Sequence, residues 1–474
     1  VKAQRLAAAA AAVGASTAWL ALAATRRLNF DESLAVRAGV LELARADAAP
    51  AFLMPWTLAL GALARIVPEP GTLFLVARLA TAAGVLVLLV AAARACGLRG
   101  ARLAFAVAFT LAQRSFVDHG LEIRYDAALL GGLLVAAVAL GDPSRLRPAL
   151  AGVAIAVVGL HHLKGAVLAL GVGTWAWTRL RAPPSGRRRF AAALGLALGG
   201  WLALVVALGL GERWLESARQ WAALATGAHR LPLAQALGST MLGDLAWWAL
   251  VAVGLVSAAL AIGRGGVAAG ESAALVLACG ALALVVVHPH PWSYMLALPA
   301  PLLAIVVGHR LPAPRPDRRR IASWAGVAAV ALLVQAGVAE RPPLAAWLEG
   351  FSAPRAPEVE ALRRLRDAAR PDEAVLDPTG LAYFLPPCTR EWYTDTLFAE
   401  RAGWMAELAS GVPEGCVWVV HTYRLSFLSP AAQQELGERY HLSESGLALR
   451  RGDPRLESLA APIAGLPGWI QNYP

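Results

Sequence analysis

At 474 residues the chain has the length of about three soluble domains, yet 58% of its side chains are hydrophobic and only 16% are charged. Mean hydropathy is +0.54, and the apolar residues gather in blocks of roughly 17–25, the length that crosses a ~30 Å hydrocarbon core as a helix. The net charge of +11 does not indicate a nucleic-acid partner, because the basic residues fall in short clusters between apolar blocks, where membrane orientation is set.

Eleven spans are predicted, near 6–24, 71–93, 103–117, 127–141, 148–161, 165–178, 190–210, 245–263, 272–287, 292–308 and 321–338. In lipid an unpaired backbone group costs several kcal/mol, so these blocks are read as helices and the chain as a polytopic α-helical membrane protein. The first block is expected to stay as a helix, since its apolar run exceeds the usual ~7–15 residues of a cleaved leader. The stretch 51–67 contains Pro55 and Arg65 and is short, which suits a helix lying at the interface within an external loop of 25–70.

Arginines alternate in number from loop to loop. With Lys2 and Arg5 on the cytoplasmic side, so are Arg94, Arg99 and Arg102, the pair Arg145 and Arg147, the group Arg179–Arg189, Arg264, and the group Arg310–Arg320. The opposite loops carry Asp31, Glu32, Asp118, Glu122, Asp126, Glu212 and Glu216. Every loop agrees with one orientation, which places everything after residue 340 outside the cytoplasm. Composition changes there, at Arg341-Pro342-Pro343. The expected organisation is a transmembrane module over 1–340 and an extracytoplasmic α/β domain over 341–474. In that domain a helix is expected over 354–370, a strand at Glu373–Asp377, a buried strand at Cys416–Thr422, and helices near 397–410 and 430–439.

Of four cysteines, Cys96 and Cys279 lie in or beside apolar blocks. Cys388 and Cys416 could pair in an oxidising compartment, but the spacing alone leaves that open.

Several external loops hold residues suited to chemistry. Asp31 and Glu32 follow the first span directly; they either favour the start of a helix or supply a general base at the water–lipid boundary. The second external loop carries Asp118, His119, Glu122, Arg124, Tyr125 and Asp126 ahead of an apolar helix. It is a polar surface loop or a site, with Arg124 able to chelate a phosphate through its planar fork. Only two of the 43 basic residues are lysines, Lys2 and Lys164. Lys164 either snorkels at a helix end or sits where a compact ammonium meets a phosphate. Arg78 lies inside a predicted span, where a charge is expensive unless it faces the bundle interior. His161, His162, His288 and His290 share the outer layer with Tyr294. No metal-ligand pair at helical spacing accompanies them; no cofactor is called for, and a divalent metal is left open.

The order of these features resembles the bacterial glycosyltransferases of the C-type fold, in the branch of protein O-mannosyltransferases and lipid A aminoarabinose transferases. The resemblance is carried by ARLATAAGVLVLL (77–89), EIRYDAALLGGLL (122–134), HHLKGAVLAL (161–170) and PWSYMLALPAPLLAI (291–305), and covers about 300 residues. Ala166, the His161-His162 pair and Tyr125 depart from the usual residues. The resemblance implies a polyprenyl-phosphate sugar donor and transfer of a hexosyl or pentosyl group, with inversion, to a lipid, glycan or protein hydroxyl on the extracytoplasmic side of a bacterial inner membrane. It implies Asp31 as catalytic base, with Glu32 orienting the site. Lys164, Arg124 and Arg78 would bind the donor phosphate, and Asp126 would position a sugar or one of these cationic side chains. Glu122, His162 and Tyr294 complete the expected substrate-binding set. A transporter would show internal repeats and midplane charges, and a non-catalytic envelope-assembly protein would not need the acid–arginine–lysine set.

Overall fold

The computed structural model describes residues 2–26, 28–44, 54–181, 185–212, 214–215, 219, 233–288, 292–311, 326–327, 329–330, 332–335, 357–388, 412–420, 425, 428–443 and 446–459. The chain divides into two compact units. The first holds Val1–Ala23, Arg78–Leu202 and Gly227–Phe351; the second holds Ala24–Ala77, Ala203–Thr226 and Ser352–Pro474.

The first unit is a helical bundle. It contains most of α1 (Lys2–Thr25), the larger part of α4 (Pro70–Ala95), then α5 (Gly100–Thr110), α6 (Arg114–His119), α7 (Tyr125–Leu140), α8 (Pro148–Leu160), α9 (His162–Arg179) and most of α10 (Gly186–Ala207). It continues with α11 (Leu233–Gly243), α12 (Leu245–Ile262), α13 (Ala269–Val287) and α14 (Ala300–Arg310). Among the described residues five segments are long and apolar enough to cross a membrane: Pro70–Ala95, Gly186–Ala207, Leu245–Ile262, Ala269–Val287 and Ser293–Arg310. α1, α5, α7 and α8 are shorter apolar helices in the same positions as predicted blocks. The span expected at 321–338 lies largely outside the described residues, as does the tail helix expected at 397–410.

The block expected as one span over 103–117 is two helices, α5 and α6, broken at Leu111–Gln113. A distant carboxylate holds the break: Asp244, buried just before α12, accepts hydrogen bonds from Gln113 Nε2 (3.3 Å) and the Arg114 backbone N–H (2.8 Å). Gln113 in turn caps α6 by accepting from the Phe116 N–H. The block at 292–308 likewise starts as a short 3-10 turn, Ser293–Ala297, before α14. Aromatic anchors pin the bundle: Trp19 stacks on Phe116 at 5.3 Å, and Trp247 stacks on Phe109 at 5.0 Å while donating to the Phe109 carbonyl. Their indoles bury a large apolar area and still find an acceptor.

The second unit contains α2 (Phe30–Leu43), α3 (Pro55–Ile66) and the first residues of α4. It also contains α15 (Pro357–Ala368), α16 (Pro430–Arg439), α17 (Leu456–Leu459) and a mixed four-stranded sheet. The strands β1 (Ala374–Leu376), β2 (Cys416–Val420), β3 (Tyr440–Leu442) and β4 (Leu447–Arg450) lie in the order β1-β2-β4-β3. β1 runs parallel to β2, and the other pairs are antiparallel. Cys388 and Cys416 form a disulfide with Cα atoms 5.3 Å apart. α16 starts where its sequence says it should: Ser429 accepts from the Ala432 N–H, and Pro430 takes the first helical position, where its missing donor costs nothing. α2 and α3 pack backbone to backbone at Gly39 and Gly61, where a β-carbon on either would strike the other helix.

Candidate functional site

Asp31 and Glu32 open α2, and the reason is local. Asn29 is the N-cap: its side chain accepts from the Asp31 N–H (3.1 Å), and Glu32 reaches back to accept from the Asn29 N–H (3.0 Å). This capping box absorbs orphan donors and puts both acids at the positive end of the helix dipole. Glu32 is fully buried, whereas Asp31 stays partly accessible. The two adjacent carboxylates therefore differ in what they can reach. Glu32 belongs to the helix start, and Asp31 keeps part of its surface accessible.

The first unit assembles four of the expected residues into one cluster. Arg124 precedes α7 and is almost fully buried. Its Nη1 lies 3.5 Å from Glu122 Oε2 and its Nη2 lies 3.4 Å from Asp126 Oδ2. The guanidinium plane rests 3.7 Å from the centroid of the Tyr294 ring, a close cation–π contact. His119 completes the group, with Nδ1 3.1 Å from Glu122 Oε2 and its ring edge-on to Tyr294 at 6.0 Å. His119, Arg124, Asp126 and Tyr294, with Leu130 and Leu298, line a small, partly open cleft. One guanidinium faces two carboxylates here, so an anion reaching Arg124 competes with Glu122 and Asp126. The arrangement orients Arg124 firmly, with one face on an aromatic ring and its edges on acids.

The other expected residues are distributed as follows. Arg78 is buried within α4, in the first unit. His162 and Lys164 occupy the first turn of α9; the placement of their side chains lies outside the described residues. Gly165, next to Lys164, has a packing reason of its own, because a β-carbon there would strike the Val158 carbonyl of α8. His161 is buried at the α8–α9 junction, with Nδ1 2.5 Å from the Val157 carbonyl oxygen. Among the described residues no group of three or more His, Cys, Asp or Glu is arranged to hold a metal ion.

Arg37 of α2 and Asp377, which follows β1, form a pair that the sequence did not signal. Their side chains are fully buried and lie 3.6 Å apart. The available signal was a lone arginine six residues after Asp31 in an otherwise apolar helical stretch; its partner is too remote in sequence to be guessed.

The sequence matches no family model, and no curated protein matches it. Solved structures do. ArnT from Cupriavidus metallidurans bound to undecaprenyl phosphate is similar over 95% of this chain and 98% of that chain, with a TM-score of 0.60 and 14% identity. The same protein in the apo state is similar over 94% of this chain and 97% of that chain, with a TM-score of 0.60 and 15% identity. The chain has the fold of ArnT. That is the C-type glycosyltransferase fold the motif order suggested. At these identities the likeness to ArnT is one of architecture, and the activity has to be argued from the residues.

Proposed function

We propose that the protein is a membrane glycosyltransferase that moves one sugar from a polyprenyl-phosphate-linked donor to an acceptor hydroxyl on the extracytoplasmic face of a bacterial inner membrane, with inversion. The observation that carries this reading is the state of Asp31: a partly accessible carboxylate on the first turn of a buried, capped helix, in a chain whose fold is that of ArnT.

The chemistry asks little of the protein beyond positioning and charge. Asp31 takes the proton from the acceptor hydroxyl as its oxygen attacks the anomeric carbon. The bond to the phosphate oxygen breaks on the opposite side, which inverts the centre, and polyprenyl phosphate leaves with the electron pair. A phosphate is already a competent leaving group. Lys164 and Arg78 are assigned to its developing charge. Arg124 is assigned to the same phosphate or to the sugar, oriented by Tyr294 and flanked by Asp126 and Glu122, with His162 nearby in sequence to Lys164. A multi-pass topology that puts residues 341–474 outside the cytoplasm fits the distribution of arginines, and the acceptor is a lipid, glycan or protein hydroxyl at that surface.

The test is Asp31→Asn in the full chain, expressed in cells that make the donor. Loss of a general base is expected to reduce turnover roughly 10²–10⁴-fold, seen as accumulation of the polyprenyl phosphate sugar relative to the parent protein. An Asp31→Asn protein that transfers sugar at the parent rate would sink this reading.

A further inference from the structure

α2 is buried along nearly its whole length, yet it carries an arginine. Arg37 has no exposed surface, and an unpaired guanidinium there would be prohibitive. Its Nη1 donates to the Ala382 carbonyl at 2.6 Å and lies 3.6 Å from Asp377 Oδ2. One turn earlier, Ser33 Oγ donates to the Thr379 carbonyl at 3.1 Å. Ser33 and Arg37 are four residues apart and share a face of the helix. Between them, Leu34 meets Gly380, whose φ of +71° suits glycine; a β-carbon at Gly380 would lie 2.8 Å from Leu34 Cδ2 and 3.1 Å from its Cα.

The turn that makes these contacts, residues 377–382, is itself held rigidly. Asp377 Oδ1 accepts from the Thr379 N–H (2.9 Å) and hydroxyl (2.8 Å), and Oδ2 accepts from the Ala382 N–H (2.6 Å). The turn leaves the sheet from β1. It returns at Cys388, whose N–H donates to the Val375 carbonyl at 3.1 Å and whose sulfur is bonded to Cys416 of β2. One polar turn, stapled to the sheet at both ends, thus grips the helix whose first turn bears Asp31.

We propose that this turn is a positioning latch, with Arg37 and Asp377 the positioning residues that set where Asp31 points. The catalytic half of this proposal rests on the reading of Asp31 as the base. The C-terminal sheet then acts on turnover through the backbone of α2, with no need to touch the donor. Near-attack geometry is steep, and a displacement of about 1 Å in a base can cost roughly a hundredfold in rate.

The experiment uses the full-length protein in detergent or nanodiscs and compares the parent with Asp377→Asn and Ser33→Ala. Two quantities are read: backbone hydrogen exchange over 30–43, and turnover set beside binding of undecaprenyl phosphate measured by native mass spectrometry. In Asp377→Asn, exchange over α2 is expected to rise about tenfold or more, and turnover to fall roughly a hundredfold while lipid binding changes by less than about twofold. Ser33→Ala removes one hydrogen bond and is expected to move exchange and turnover the same way by less, which keeps the test alive if Asp377→Asn does not fold. Unchanged exchange over α2 overturns the latch whatever the activity. Raised exchange with parental turnover overturns the positioning role. The exchange arm needs no turnover, so a failure of Asp31 as base would leave that arm standing.

Discussion

The starts of α2 and α7 look alike in sequence, since each carries acids and an arginine beside an apolar helix, but they are built for different work. At α2 one acid caps its own helix and the arginine is turned to the Asp377–Ala382 segment, so the second acid, Asp31, remains partly accessible. At α7 both acids, Glu122 and Asp126, flank Arg124, and the arginine is further held by the Tyr294 ring. The first arrangement keeps one carboxylate partly accessible. The second fixes a cation in place.

That contrast can be broken most directly at Arg124. Arg124→Leu removes the buried guanidinium that faces Glu122 and Asp126, and removing one partner of a buried pair costs about 3–5 kcal/mol. A large drop in thermal stability is expected, whereas Asp31→Asn should unfold at nearly the parent temperature and lose turnover instead. Equal loss of stability in the two variants would erase the distinction. At Tyr294 the ring matters more than the hydroxyl. Tyr294→Leu should lower stability by about 1–2 kcal/mol and Tyr294→Phe by much less, as expected for a cation–π contact; a Phe variant as weak as Leu would shift the weight to the hydroxyl. At the α2 start, Asn29→Ala should cost about 1 kcal/mol and fray the helix, read as faster exchange at Asp31 and Glu32.

The sheet offers a pH test with a definite sign. Burial alone would raise the Glu373 carboxyl, but hydrogen bonds from Arg455, the Arg370 N–H and Trp418 outweigh it and hold the group down at about 2, below its ordinary 4.5. Asp453, hydrogen-bonded by Arg455, is likewise held at about 2 instead of 3.8. Folded values below the unfolded ones mean that the stabilisation is complete above about pH 4.5 and is lost as the pH falls toward 2. Trp418 fluorescence should therefore report acid loosening across that window, and Arg455→Met should remove most of the dependence. A parent protein insensitive to acid there would contradict the pairing.

Much of the bundle was legible because its signals are local. Apolar blocks mark helices, and the Asp31–Glu32 pair marks the start of one. The α5–α6 break was not legible, because it depends on Asp244, more than a hundred residues later. The grip on α2 was hidden for the same reason: Arg37 reads as an anomaly until Ala382 and Asp377, some 345 residues on, come beside it. The Arg124 cluster was partly legible. Glu122, Arg124 and Asp126 are adjacent in sequence, but Tyr294 joins them only through the fold. Pairing of Cys388 with Cys416 needed a Cα separation that spacing in the chain does not supply.

The most direct test of the central proposal is mass spectrometry of the lipids that copurify with full-length Asp31→Asn and with the parent protein. A polyprenyl phosphate carrying one sugar, enriched on the variant and depleted on the parent, is the expected result. Equal lipid profiles with undiminished transfer by the variant would contradict both the donor class and the role of Asp31.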